Sequence, residues 1–234
     1  MIYFFWMVIL MKIGILFAEE KELHAFLENC CDDIKKDNVY ELTIYKTKYK
    51  KNEVIFVQCN IGKVNAGRTT QILIDKYNVD LILNAGVCGC VDKNLAIGDV
   101  VLGKYFYQYD YDLTEYGRKY GEIPNCGKFI ECNNKYLKLL DLPLKKVASA
   151  DKFLTRKDYD LIEMLNKDDV SVVDMESASI SQVCYLCKVD YVIIRGISDN
   201  VFESNNQDKF YEMLESVSLK VSKYLYELLD KIGE

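Results

Sequence analysis

Short apolar runs alternate with longer stretches of helical spacing along most of this chain. Ile13–Phe17 and Asp80–Asn84 are unbroken enough to read as strands buried on both faces. Val39–Tyr49 and Glu53–Cys59 alternate with a period of two, the first with Lys at its exposed positions. Gly98–Tyr107, Val147–Leu154, Ser171–Asp174 and Tyr191–Ile197 read as further strands, Val147–Leu154 with a polar interruption. Helical spacing falls on Ala18–Leu27, Val64–Tyr77, Asn133–Leu140 and Lys157–Leu165, and a helix of small and apolar residues follows Met175-Glu176. Gln207–Ile232 closes the chain as a long amphipathic helix. No linker, internal repeat or low-complexity segment divides the pattern, which predicts one α/β domain with a central sheet flanked by helices.

Met1–Leu10 (MIYFFWMVIL) stands outside this alternation. It is too short to cross a bilayer, which takes roughly 20 residues, and it lacks the basic start and small-residue cleavage site of a signal peptide. The expectation is an upstream extension, with Met11 the natural beginning and 11–234 the domain. Packing against the domain is the alternative, and a membrane anchor ranks last.

The unit from Val172 to Asp199 draws the eye because two acids, Glu176 and Asp199, are expected just past the ends of two buried strands. The crevice beyond such ends is where open α/β sheets bind small ligands, and an acid there is costly to bury without a partner or a use. A third acid, Glu22, follows the end of the first strand. Glu19, Glu20 and Glu22 together also suit the first turn of a helix, so the dipole alone accounts for them. Ala85-Gly86-Val87-Cys88-Gly89-Cys90 is expected as a turn of small residues that lets a ligand approach the backbone. Gly62-Lys63 lacks the spacing of a phosphate loop. Tyr105–Tyr120 is crowded with Tyr and Asp and suits a surface or a subunit contact as well as a ligand contact.

Composition narrows the chemistry. A net charge of −6 with mixed signs and no basic stripe excludes a nucleic-acid partner. Nine cysteines at irregular spacing point to reduced thiols in a cytosolic protein, and the Cys184/Cys187 pair reads as packed small hydrophobes. The single histidine, His24, removes His-based triads and multi-His metal sites, which leaves acid–base work to carboxylates, Lys, Tyr or Cys.

From Met11 onward the chain resembles the 5′-methylthioadenosine/S-adenosylhomocysteine nucleosidases, within the nucleoside phosphorylase superfamily. The segments MKIGILFAEEKEL, IGKVNAG, LNAGVCGC, YDLTEYG, VASADKFL, VVDMESASI and VIIRGISDN carry the resemblance, in family order and spacing. It implies a nucleoside phosphorylase-like fold with a mixed sheet, a cytoplasmic homodimer, a role in methionine salvage, a small nucleoside as substrate, and no metal or organic cofactor. By the same resemblance Glu22 activates the attacking water and Asp199 protonates purine N7. Met175 and Glu176 clamp the ribose, Phe153 stacks on adenine, and the backbone of Leu154 bonds its Watson–Crick edge. Arg195 stands near the water and Glu176, and Ser198 orients Asp199. Tyr105–Tyr120 is implied near the dimer interface.

Three positions depart from the family pattern. Val87, in the stretch that includes Gly89, stands where the family usually has Ser or Thr, so a hydroxyl near the sugar or nucleophile is missing. Glu19 replaces an apolar residue, and Lys152 replaces a small one beside Phe153. The leading expectation is hydrolysis of 5′-methylthioadenosine, S-adenosylhomocysteine or 5′-deoxyadenosine to adenine and the free sugar. The alternatives are a purine nucleoside phosphorylase, a futalosine-type hydrolase, and a nucleoside-binding protein without catalysis.

Overall fold

A computed structural model describes residues 11–30 and 33–234. The expectation for Met1–Leu10 lies outside the described residues. Among these residues the ten strands are β1 (Lys12–Phe17), β2 (Lys35–Val39), β3 (Leu42–Tyr49), β4 (Asn52–Gln58), β5 (Leu81–Cys90), β6 (Val100–Gln108), β7 (Ile130–Glu131), β8 (Leu144–Ser149), β9 (Val172–Asp174) and β10 (Asp190–Asn200). The α-helices are α1 (Glu20–Leu27), α2 (Lys63–Tyr77), α3 (Tyr159–Lys167), α4 (Ser177–Cys187) and α5 (Asn206–Ile232).

The sheet is mixed, as the resemblance implied, and runs β10-β6-β8-β9-β5-β1-β4-β3-β2, with β7 added to β6. Because β10 also pairs with β5, the strands β5, β10, β6, β8 and β9 close into a ring. The ring departs from the open sheet whose strand-end crevice the sequence pattern suggested. β9 and β10 are not neighbours: β5 lies between them, antiparallel to β9 and parallel to β10.

Strand limits differ from the sequence reading where polar residues are buried. β5 continues through Ala85–Cys90, so the expected turn is strand, paired residue by residue with β10. β10 likewise runs past Ile197 to include Ser198 and Asp199, across a register shift between Ile197 and Asp199. β8 stops at Ser149, and Ala150–Leu154 is loop. Asp151 explains the departure, since its carboxylate accepts from Lys63 N at 2.7 Å while its own N–H donates to Asp110 Oδ2 at 3.2 Å. Asn133–Leu140, expected as a helix, holds a 3₁₀ turn at Lys135–Leu139. Tyr107 and Tyr109 are buried in a smaller cluster with Leu154, Ile162 and Val173, so the tyrosine-rich stretch is partly core. Cys184 is buried in the main core, as a small hydrophobe would be.

Two contacts decide where the functional groups go. Helix α1 is held by Phe26, whose ring stacks on Tyr226 of α5 at 5.0 Å and meets Phe56 of β4 edge-on at 5.1 Å. With Phe26 and Leu23 buried, Glu22 is drawn inward on the same helix face. Helix α5 buries Leu214, Val217, Val221, Leu225 and Leu228 at helical spacing. It lies on Gly196 of β10, where a Cβ would come within 2.4 Å of Val217 Cγ1 and 2.6 Å of Val221 Cγ2. Both neighbours are β-branched and stiff. Gly196→Ala is therefore expected to cost about 1–3 kcal/mol of unfolding free energy through overpacking, read from the denaturant midpoint, and an unchanged midpoint would contradict this packing.

Candidate active site

Each of three buried acids lies against a glycine of the chain. The Glu22 carboxylate accepts from Ala18 N at 2.9 Å and Glu19 N at 3.0 Å through Oε2, and from Val87 N at 2.9 Å through Oε1. It occupies the space beside Gly86, where a Cβ would lie 2.4 Å from Oε1. Glu176, at the N-terminus of α4, accepts from Gly62 N at 2.8 Å. Asp199 packs over Gly89, where a Cβ would lie 3.3 Å from Oδ2. The small residues of β5 therefore make room for two carboxylates as well as for a ligand.

Burial pushes all three acids above the ordinary carboxylate range. For Glu22 the three backbone donors and the Arg195 charge oppose the rise. For Glu176 the neighbouring Asp174 charge adds to burial, while Arg195 and the Gly62 N–H work against them. For Asp199 burial dominates over hydrogen bonds from Ser198 and Asn206.

Arg195 is 2% exposed and sits behind these acids, away from the cavity wall. Its Nε donates to Asp174 Oδ2 at 2.7 Å, Nη2 donates to Asn84 Oδ1, and Nη1 donates to the Ile194 carbonyl at 3.3 Å. Asp174 also accepts from the hydroxyls of Ser149 and Ser177 and from the N–H groups of Glu176 and Ser177. So the direct hydrogen-bond partner of Arg195 is Asp174, and Arg195 acts on Glu176 and Glu22 through its charge. A buried cation held by three hydrogen bonds is a fixed counter-charge for the acids in front of it.

Asp199 Oδ1 accepts from Ser198 Oγ at 2.9 Å, and Oδ2 accepts from Asn206 Nδ2 at 3.1 Å. The same amide donates to the Leu154 carbonyl at 2.9 Å. Phe153, 37% exposed, presents its ring edge-on to Phe210 of α5 at 5.6 Å.

These groups surround one cavity of about 530 Å³. Of the residues expected at the site, Glu22, Val87, Gly89, Phe153, Leu154, Met175, Glu176 and Asp199 all line it. Arg195 and Ser198 do not; they are fully buried and act on the wall from behind. Val87 contributes its N–H to Glu22 where the sequence reading had only noted a lost hydroxyl. The reading missed Asp174, which the motif VVDMES displays openly at a strand end. It also missed Asn206, Gln207, Phe210 and Tyr211 at the start of α5, where two adjacent aromatics beside an amphipathic stripe were the available signal.

Residues 12–231 match the sequence profile of the Phosphorylase superfamily. Among curated proteins, a 5′-methylthioadenosine/S-adenosylhomocysteine nucleosidase of Buchnera aphidicola is 34% identical over 240 residues, covering 95% of this chain and 99% of that protein. The Helicobacter pylori 5′-methylthioadenosine/S-adenosylhomocysteine nucleosidase superposes with a TM-score of 0.90 at 28% identity, covering 95% of this chain and 99% of that one. The futalosine hydrolase of Helicobacter pylori gives the same TM-score of 0.90 and 28% identity, at 95% and 98% coverage. The profile match and the extent of these likenesses mean that the chain belongs to the phosphorylase superfamily and, within it, to the 5′-methylthioadenosine/S-adenosylhomocysteine nucleosidases.

Proposed function

We propose that this protein hydrolyses the N-glycosidic bond of 5′-substituted adenosines, with 5′-methylthioadenosine and S-adenosylhomocysteine as the main substrates, to give adenine and the free sugar. The charge of the cavity wall carries this reading. Glu19, Glu22, Asp174, Glu176 and Asp199 line it, and among the described residues the one cation in the lining, Lys152, is ion-paired with Asp158. Phosphate binding calls for free cationic and hydroxyl donors. Here Arg195 does not line the cavity and donates instead to Asp174, Asn84 and Ile194, and Val87 offers no hydroxyl. Water is the nucleophile that such a wall tolerates.

The chemistry follows from the placement of the acids. As the bond from C1′ to N9 breaks, its electron pair goes to the purine, and Asp199 delivers a proton to N7 to make adenine a neutral leaving group. The sugar becomes cationic, and ionised Glu22 and Glu176 offset that charge. Burial raises both acids in the empty site, so the developing cation is what favours their ionised forms. Glu22 takes the proton of the attacking water, and one water is consumed per turnover. Glu176 accepts from the ribose hydroxyls, Phe153 stacks on the base, and the backbone of Leu154 meets its Watson–Crick edge. The apolar wall of Met175, Phe210 and Tyr211 suits an uncharged thioether at the 5′ position.

The protein acts in the cytoplasm, in methionine salvage, as a homodimer. Free thiols at Cys59, Cys88, Cys90, Cys126, Cys132, Cys184 and Cys187 fit a reducing compartment, and no described helix is long and apolar enough to cross a membrane. Val64 at the start of α2 is 77% exposed and Tyr116 in the tyrosine-rich stretch 83% exposed, with Ile61, Tyr185 and Leu186 also open to solvent. A second copy would cover them. Light scattering is expected to give twice the 27.1 kDa chain mass, and a monomer at micromolar concentration would contradict the dimer.

Adenine release, followed with 5′-methylthioadenosine, S-adenosylhomocysteine, 5′-deoxyadenosine, futalosine and adenosine, tests the reaction. The expected result is release from the 5′-thio nucleosides at the same rate with or without phosphate. Turnover that requires phosphate would make the protein a phosphorylase, and binding without release would make it a nucleoside-binding protein.

A further inference from the structure

We propose that Asn206 is a positioning residue for the proton donor, one side-chain amide that holds Asp199 and the base-binding loop in a common register. The inference rests on the assignment of Asp199 as the acid. Asn206 is 3% exposed and is the first residue of α5. Its Nδ2 has two hydrogens, and two acceptors are in reach: Asp199 Oδ2 at 3.1 Å and the Leu154 carbonyl at 2.9 Å. A planar amide on a short side chain offers two donors at a fixed angle. Serine offers one, and leucine or aspartate none. Burying an amide is costly without such partners, and here both hydrogens connect the two halves of the base site.

Ser198 Oγ, at 2.9 Å from Oδ1, and Asn206 together restrain both oxygens of Asp199. The other titratable groups near this acid are the Cys88 and Cys90 thiols of β5 and Glu203 in the loop before α5. Burial raises both thiols, Cys90 to about 11, so neither carries charge near neutral pH. Glu203 acts the opposite way to Asn206, favouring the protonated acid. When Asp199 gives up its proton, its bond from Asn206 becomes charge-assisted and strengthens. Stabilisation that grows as the purine departs acts on the transition state rather than on binding.

The test is the pH profile of kcat/KM for adenine release by the wild type, Asn206→Leu and Asn206→Asp, with Asp199→Asn as reference and thermal melting to verify folding. Asp199 is active when protonated, so activity falls as pH rises through its pKa. Loss of a donor to the carboxylate moves that alkaline limb upward. Asn206→Leu is expected to shift it by about one pH unit, the size of one hydrogen bond to a charged group, and to lower kcat by about tenfold. Asn206→Asp, near-isosteric and suited to a helix first turn, is expected to shift it further because an anion replaces the donor. It carries the test if the leucine variant does not fold. Folded variants with an unmoved limb and a kcat within twofold of wild type would overturn the role of Asn206, provided Asp199→Asn is inactive. Near-normal turnover by Asp199→Asn would instead remove Asp199 from the acid role.

Discussion

The structure depends on keeping several carboxylates buried around one cavity without letting their charges drive the fold apart. Burial of isolated anions is prohibitive unless donors or counter-charges replace water. This chain supplies both. Glu22 has three backbone N–H groups, Glu176 has the Gly62 N–H, and Asp199 has Ser198 and Asn206. Behind them the Arg195 guanidinium bonds Asp174 and raises the local potential felt by Glu22 and Glu176. Backbone donors have a further consequence. They cannot rotate away, so Glu22 and Glu176 are placed as firmly as the strands and helix ends that present those donors.

The ring of strands makes this possible. Closing β5, β10, β6, β8 and β9 on one another brings the ends of β5, β9 and β10 together, with the N-termini of α1 and α4 nearby. Glycines at 86 and 89 let acids from α1 and β10 lie directly on β5. Helix α5 then crosses β10 over Gly196, brings Phe210 and Tyr211 to the cavity and sets Asn206 against Asp199 and Leu154. The stability of the domain and the geometry of the site share the same close approaches.

Much of this was legible in the residues, because the apolar runs marked the core strands and the acids fell just after them. The fold class, Glu176 and Asp199 followed from that, whereas Glu22 was open to a helix-dipole account until the family resemblance singled it out. The reading ended two strands too early: it took the small residues from Ala85 to Cys90 for a turn and the polar Ser198-Asp199 for the end of a strand. Asn84, Ser198 and Asp199 are polar yet lie within buried strands, since Arg195, Asn206 and main-chain groups meet their hydrogen-bonding needs. That satisfaction comes from elements far away in sequence, so no local pattern announces it. Asp174 stood openly at a strand end, but its buried partner Arg195 lies 21 positions later, beyond a helix, and no local pattern announces that pairing. The opposite error occurred at Val147–Leu154, where an apolar-looking run turns into loop because Asp151 caps α2.

The central claim, that the carboxylate of Glu22 is seated on the β5 backbone to act on water, is tested most directly at Gly86. A Cβ there would fall 2.4 Å from Glu22 Oε1 and 3.0 Å from its Cδ, while Gly86 is absent from the positive-φ positions, so alanine brings no backbone strain. Single-turnover adenine release by Gly86→Ala, with adenine affinity measured alongside, is predicted to fall by about 10²–10⁴ while adenine still binds. Release at the wild-type rate would show that Glu22 need not sit where the glycine puts it, and would contradict the account.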